Sequence, residues 1–263
     1  MRRIMQDLAV NGNNSGNKRI AMLIDGDNAQ ASLIEKMVAE TSKYGLVTIR
    51  RVYGDWTTTQ MKSWKDVLST HAIQPIQQFQ NTVGKNSTDS ALIIDAMDIL
   101  YEGVVDGFCL VSSDSDYTRL ATRIREKGVF VMGIGKNTTP RAFVNACEIF
   151  VFTQNLSPEK ETRKSEPASA SSPGPGAIDV PFDPLPLLKN AFDISVQEDG
   201  WAFLGTVGGH LHRLDPSFDL RTYGYKQLIQ LIKAYHDTFE IRVDKSRQGP
   251  SLIYIRRKDE NPA

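Results

Sequence analysis

Only two cysteines occur in 263 residues, Cys109 and Cys147, too few for a disulfide framework. Each lies in an apolar run, GFCLV or AFVNACEIFVF, as small core residues do in a reducing compartment. Net charge is also missing, because 31 basic residues balance 31 acidic ones. A polyanionic ligand would therefore have to be held by local basic patches rather than by the field of the whole chain. No window reaches the roughly 18 to 20 apolar residues of a membrane span. The opening MRRIMQDLAVNGNNSGNK lacks the sustained apolar stretch of a secretory signal. These absences predict a cytoplasmic protein without membrane contact, in which residues 1–17 form a flexible arm. The four histidines, His71, His210, His212 and His236, have no metal-ligand spacing with cysteine, which excludes a mixed Cys/His zinc site.

What is present divides into two parts. Residues 157–181 are rich in Ser, Pro, Ala and charge and have no apolar periodicity, the composition of a disordered linker. They separate a domain over 18–156 from a smaller one over 182–258, and 259–263 form a tail. In the first domain IAMLID, LVTIRRVYG, IQPIQQF, GFCLVSS, VFVMGIG and EIFVF read as strands, with Pro75 pushing the third toward an edge. Helical patterns fall between them, over 29–43, TQMKSWKDVLSTH, DSALIIDAMDILY, DYTRLATRIREKG and 139–147. Alternation at this spacing predicts an α/β, Rossmann-like parallel sheet flanked by helices.

In such sheets the functional crevice lies beyond the carboxyl ends of the strands, where strand order reverses. Asp25 ends the first strand and Asp114 follows the fourth, so a 3-2-1-4-5 order brings both to one edge. On the helix from Asp89, at about 100° per residue, Leu92, Ile93, Ala96, Ile99 and Leu100 fall within about 80° of Asp89. Asp89 therefore begins the buried stripe, and capping by Thr88 or Ser87 aims it at the strand edge. Asp95, Asp98 and Glu102 lie at about 180° to 240°, an ordinary solvated face. Asp116 sits about 40° from Leu120 on the next helix and is the fourth acid. Taken singly, Asp114 and Asp116 also read as helix caps.

Several carboxylates at one edge repel each other unless a cation neutralises them. Oxygen ligands without Cys or His point to Mg²⁺ or Mn²⁺ at Asp25, Asp89, Asp114 and Asp116, a site suited to phosphodiester hydrolysis. Asn28 orients substrate or water, or caps a helix; Lys85 contacts a phosphate, or is a solvated loop residue. GIGKNTT (133–139) does not satisfy the phosphate-loop pattern, since Asn137 follows Lys136.

The blocks DGDN (25–28), KNSTDSALIIDAMDILY (85–101), VSSDSDYTRLATRIREKG (111–128) and ACEIF (146–150) together resemble the NYN domain in its LabA-like branch, a relative of the PIN nucleases. The resemblance implies a PIN-like sandwich that cleaves single-stranded RNA with Mg²⁺ or Mn²⁺, with Asp25, Asn28, Asp89, Asp114 and Asp116 at the family's polar positions. One departure is Glu148, where the family usually has Asp, and it reads as a surface residue. Residues 183–257 resemble the OST-HTH or LOTUS domain, a small winged helix. That resemblance implies binding of structured or G-rich RNA, or docking of a protein partner such as a helicase.

Leu204, Val207 and Leu211 form one stripe of this second domain, Leu228, Ile229, Leu231 and Ile232 another, and FEIRV with LIYIRR a two-stranded wing. Arg242, Lys245, Arg247, Arg256, Arg257 and Lys258 stand against Asp244, enough basic charge to follow a phosphate backbone. Arg221, Tyr223 and Lys226 are further candidates for RNA contact, whereas Trp201 reads as core. Two other functions compete with a metal-dependent ribonuclease. One is an RNA-binding adaptor with structural acids. The other is a haloacid-dehalogenase-like phosphatase, whose DxD motif Asp25-Gly26-Asp27 imitates without the following Thr.

Overall fold

The computed structural model describes residues 18–79, 87–156, 183–244 and 252–258. The expected arm, linker and tail, together with Lys85, Lys245 and Arg247, lie outside the described residues. The strands of the first sheet are β1 (Arg19–Asp25), β2 (Leu46–Gly54), β3 (Gln74–Gln77), β4 (Gly107–Val111), β5 (Phe130–Gly135) and β6 (Ile149–Phe152). Their order is β3-β2-β1-β4-β5-β6, the reversal after β1 that the alternating pattern predicts. β1 is buried from Ile20 to Asp25 and β4 throughout, as continuous apolar strands covered on both faces must be. Pro75 sits in the edge strand β3, where its missing N–H breaks no ladder. The chain divides inside β4, between Cys109 and Leu110, into two compact units.

In the first unit, α1 (Ile34–Thr41) follows a 3-10 turn at Ala31–Leu33. It starts later than the pattern predicts because residues 25–29 are held in a turn, with the Ala29 N–H bonded to the Asp25 carbonyl at 2.9 Å. The second expected helix shrinks to α2 (Lys62–Lys65). Its surroundings are wound as successive turns that bury Met61 and Trp64 and end at Ala72, in left-handed backbone with φ 50°. These two side chains support the β1 edge: the Trp64 indole donates to the Gly26 carbonyl at 3.2 Å.

The helix α3 (Ser87–Glu102) buries Thr88, Leu92, Ala96 and Ile99, while Ile93 and Leu100 are only half-buried. The buried stripe is thus centred about 60° to one side of Asp89 at 100° per residue, so Asp89 and Asp95 flank it symmetrically. Asp95 is therefore not a solvated residue. It takes hydrogen bonds from the Arg51 guanidinium and the Tyr53 hydroxyl, both on one face of β2, and pins α3 to the sheet. Burial, with the Asp95 carboxylate beside it, pushes the Tyr53 phenol up.

The second unit holds a 3-10 turn at Ser115–Tyr117, α4 (Thr118–Glu126) and α5 (Arg141–Ala146) around β5 and β6. Its C-terminal part comprises α6 (Leu185–Ser195), α7 (Leu204–Leu214), α8 (Leu228–Ala234) and three strands. The strands β7 (Ala202–Phe203), β8 (Phe239–Asp244) and β9 (Leu252–Arg257) form an antiparallel sheet ordered β7-β9-β8, so the expected two-stranded wing gains a short third strand. Leu188, Phe192, Val207, Leu211, Leu231 and Ile255 centre a separate core. Leu228 and Ile229 of the second predicted stripe pack only at its margin.

Within this unit the loop Asp215–Ser217 lies against the first sheet. The Phe150 N–H of β6 donates to the Pro216 carbonyl at 2.8 Å, which covers part of an edge strand that would otherwise expose its backbone. Arg141 bonds both the Asp215 carboxylate at 2.9 Å and the Ser217 hydroxyl at 3.0 Å. The Asn155 amide donates to the Thr222 hydroxyl at 3.0 Å.

Candidate metal centre

The edge at the end of β1 is built around Asp25, which is 1% exposed. One of its oxygens accepts the N–H groups of Asp27 at 3.2 Å and Asn28 at 3.3 Å, and the other accepts the Asn28 side-chain amide at 2.7 Å. Asn28 thus braces Asp25 rather than capping α1. Gly26 makes the turn possible, because a Cβ there would lie 2.7 Å from the Tyr53 carbonyl and 2.6 Å from Met61.

Asp114 caps the 3-10 turn after β4 by accepting the Asp116 N–H at 2.9 Å. Its own N–H donates to the Ser112 hydroxyl at 3.1 Å. One carboxylate oxygen from each of Asp89, Asp114 and Asp116 also lies within 4.8 Å of the other two. Asp89 and Asp114 are half-buried and Asp116 is exposed. Like charges at this spacing repel each other, the more so where less water screens them. A hard divalent cation offsets that repulsion, and three carboxylates with no nitrogen or sulfur donor are the ligand type it takes. Asp25 is not in this group of three; both of its oxygens accept hydrogen bonds from its own loop.

The sequence pattern passed over Asp27, except as part of a rival motif. Burial pushes its carboxyl up, the neighbouring Thr88 hydroxyl draws it down, and the Asp89 and Asp55 carboxylates push it up again. Asp27 therefore extends the acidic edge next to Asp89. Asp55 follows the end of β2, the same strand-end position that singled out Asp25 and Asp114. It is 7% exposed and takes hydrogen bonds from Thr57 and Gln77.

The candidate RNA contacts in the C-terminal part have local partners. Arg221 is held by Asp219, Tyr223 packs on Phe218 with ring centroids 5.8 Å apart, and Lys226 is exposed. Arg256 pairs with Glu240 and Arg257 with Asp193 at 3.5 Å. Trp201 is buried, with Arg242 4.4 Å and Arg256 4.8 Å from its ring centre, which makes it packing rather than a base platform. Both cysteines are buried, and burial pushes the Cys109 thiol up to about 12, so it is inert. No helix among the described residues is long and apolar enough to cross a membrane.

A parallel sheet of this order, flanked by helices and with acids beyond its strand ends, is the doubly wound α/β architecture that PIN-like domains share. The chain belongs to the NYN domain family, whose model matches residues 19–156, a family of the PIN-like nuclease superfamily. The OST-HTH/LOTUS domain model matches residues 183–250. Among solved structures, the chain is similar to a protein of unknown function from Vibrio parahaemolyticus, at 19% identity and TM-score 0.43 over 51% of this chain and 91% of that one. It is also similar to an uncharacterized protein from Nitrosomonas europaea, at 31% identity and TM-score 0.28 over 39% and 96% respectively. A third match is MurG of Acinetobacter baumannii, at 14% identity and TM-score 0.34 over 51% and 40%. No curated protein matches the chain.

Proposed function

We propose that this protein is a metal-dependent ribonuclease in which Asp89, Asp114 and Asp116 hold Mg²⁺ or Mn²⁺ and residues 182–258 capture RNA. The observation that carries the reading is the convergence of these three carboxylates within 4.8 Å in a chain of a nuclease superfamily. When bound, the cation supplies Lewis acidity toward a phosphodiester and its attacking water. The protein's own residues do the rest. Asp114, fixed by the Ser112 and Asp116 hydrogen bonds, is preorganised for ligation. Asp25, locked by Asn28, acts through the loop it shapes and so presents Asp27 beside Asp89. Asp25 and Asn28 are on this reading positioning residues. Lys85 stands three residues before Thr88 in sequence and is our candidate for the scissile phosphate.

The test is incubation of purified protein with end-labelled single-stranded RNA and, separately, a small phosphate monoester. Cleavage of the RNA with Mn²⁺ or Mg²⁺, its arrest by EDTA, and no release of phosphate from the monoester are the expected results. Phosphate release without RNA shortening would favour a phosphatase, and metal-independent binding without cleavage an adaptor.

A further inference from the structure

Where residues 215–217 lie against β6, a cleft of about 640 Å³ opens between α4, α5 and α7. We infer that this cleft is a second RNA-binding site, which takes a phosphodiester of the substrate strand across the junction of the two parts of the chain. The inference rests on the ligand of the proposed function, RNA, but not on its cleavage.

Charge at the cleft favours an anion. Arg125, Arg141 and Arg213 line it, together with Glu148. Arg141 is neutralised by Asp215. Arg125 gives one nitrogen to the Asn145 and Ala146 carbonyls at 3.0 and 3.2 Å, which anchors the side chain without an ion pair among the described residues. The Arg213 side chain is exposed and, among the described residues, has no hydrogen-bond or ion-pair partner. Two guanidiniums against one carboxylate leave one net positive charge, opposite to that of a single phosphodiester. Phe130, Ile149 and Leu214 supply an apolar wall against which a base or sugar can lie.

The wing offers a cleft of similar size, about 650 Å³, lined by Glu240, Arg256, Arg257 and Lys258. There Arg256 and Arg257 already face Glu240 and Asp193, so a phosphate would have to displace carboxylates. The junction cleft carries no such competition at Arg213. It is also assembled only when Asp215 is seated on Arg141, because Arg125 of α4 and Arg213 of α7 belong to the two parts that this contact joins. RNA bound there is held by both parts of the chain at once, which is how a tethered module makes one binding surface with the domain it serves.

The test is equilibrium binding of the full chain to a labelled single-stranded RNA in EDTA, across about 0.05 to 0.2 M KCl. Arg213→Glu should weaken binding about five- to tenfold, and Arg213→Ala should lower the slope of log K against log salt by about 0.7 to 1. Arg213→Lys should restore most of the affinity, since a phosphate contact needs the charge more than the fork. Because no metal is present, an inactive nuclease centre would leave these results unchanged. Affinities of Arg213→Glu and Arg213→Ala within twofold of wild type, with an unaltered salt slope and an unaltered melting temperature, would overturn the inference.

Discussion

The side-chain amide of Asn28 donates to the Asp25 carboxylate at 2.7 Å, inside a loop where the same carboxylate already accepts two backbone N–H groups. A buried acceptor that loses its donors costs about 1 to 3 kcal/mol. Asn28→Ala should therefore lower the melting temperature, and Asn28→Asp should lower it further by facing one carboxylate with another. Calorimetry of the three proteins checks this. Equal melting temperatures would mean that Asn28 does not brace Asp25.

On α3, Asp95 and Asp98 look alike in the sequence but differ in the structure. Asp95 holds Arg51 and Tyr53 of β2, whereas Asp98 is exposed. Asp95→Ala should cost about 2 kcal/mol, because a half-buried guanidinium and a phenol lose their acceptor. Asp98→Ala should stay within about 0.5 kcal/mol of wild type. Urea unfolding of both variants reads the contrast directly.

These two aspartates also mark how far the sequence carries. Helical phase identified Asp89 and Asp116 as facing inward, and the strand-end rule identified Asp25 and Asp114; Asp89, Asp114 and Asp116 converge, and Asp25 is not in that group. Phase misplaced Asp95 because Ile93 and Leu100 were counted in the buried stripe, whereas Thr88 is the residue that is buried. A polar residue at the stripe's margin moves its centre without altering the apolar pattern. Likewise, the amphipathic run from Thr59 to His71 forms only one short helix, since burying Met61 and Trp64 under the β1 edge outweighs helix propensity. Asp27 went unrecognised because its neighbours Thr88 and Asp55 come from distant segments. The linker composition gave no hint that Asp215 and Arg141 would pair.

That pairing makes a pH prediction. Burial pushes the Asp215 carboxyl up, but hydrogen bonds from Ser217 and Arg141 outweigh it, so the group titrates below its ordinary value of 3.8. A depressed carboxyl contributes stability that is present above the unfolded value and is lost as pH falls through the folded one. The difference in melting temperature between wild type and Asp215→Asn should be constant from neutral pH to about 5, then shrink with acidification. At neutral pH a double-mutant cycle with Arg141→Ala should give a coupling of about 1 kcal/mol. A coupling near zero would mean that the two parts do not dock through this pair.

Metal should act on the acidic edge before any RNA is present. A ligand that binds only the folded chain stabilises it by about 2.7 kcal/mol at a hundred times its dissociation constant. Mn²⁺ should raise the melting temperature of wild type, and the rise should be largely lost in Asp89→Asn and Asp116→Asn. In EDTA those variants should melt no lower than wild type, because each removes like-charge repulsion within the cluster.

The central claim is that the three converging carboxylates make a centre that cuts RNA. Its most direct test compares wild type with Asp114→Asn on end-labelled single-stranded RNA in Mn²⁺, reading cleavage and binding in the same samples. The account predicts a loss of cleavage by at least about a hundredfold, on the scale of removing one preorganised charge from a transition state, with RNA affinity within a few-fold of wild type. Equal cleavage by the two proteins would contradict it.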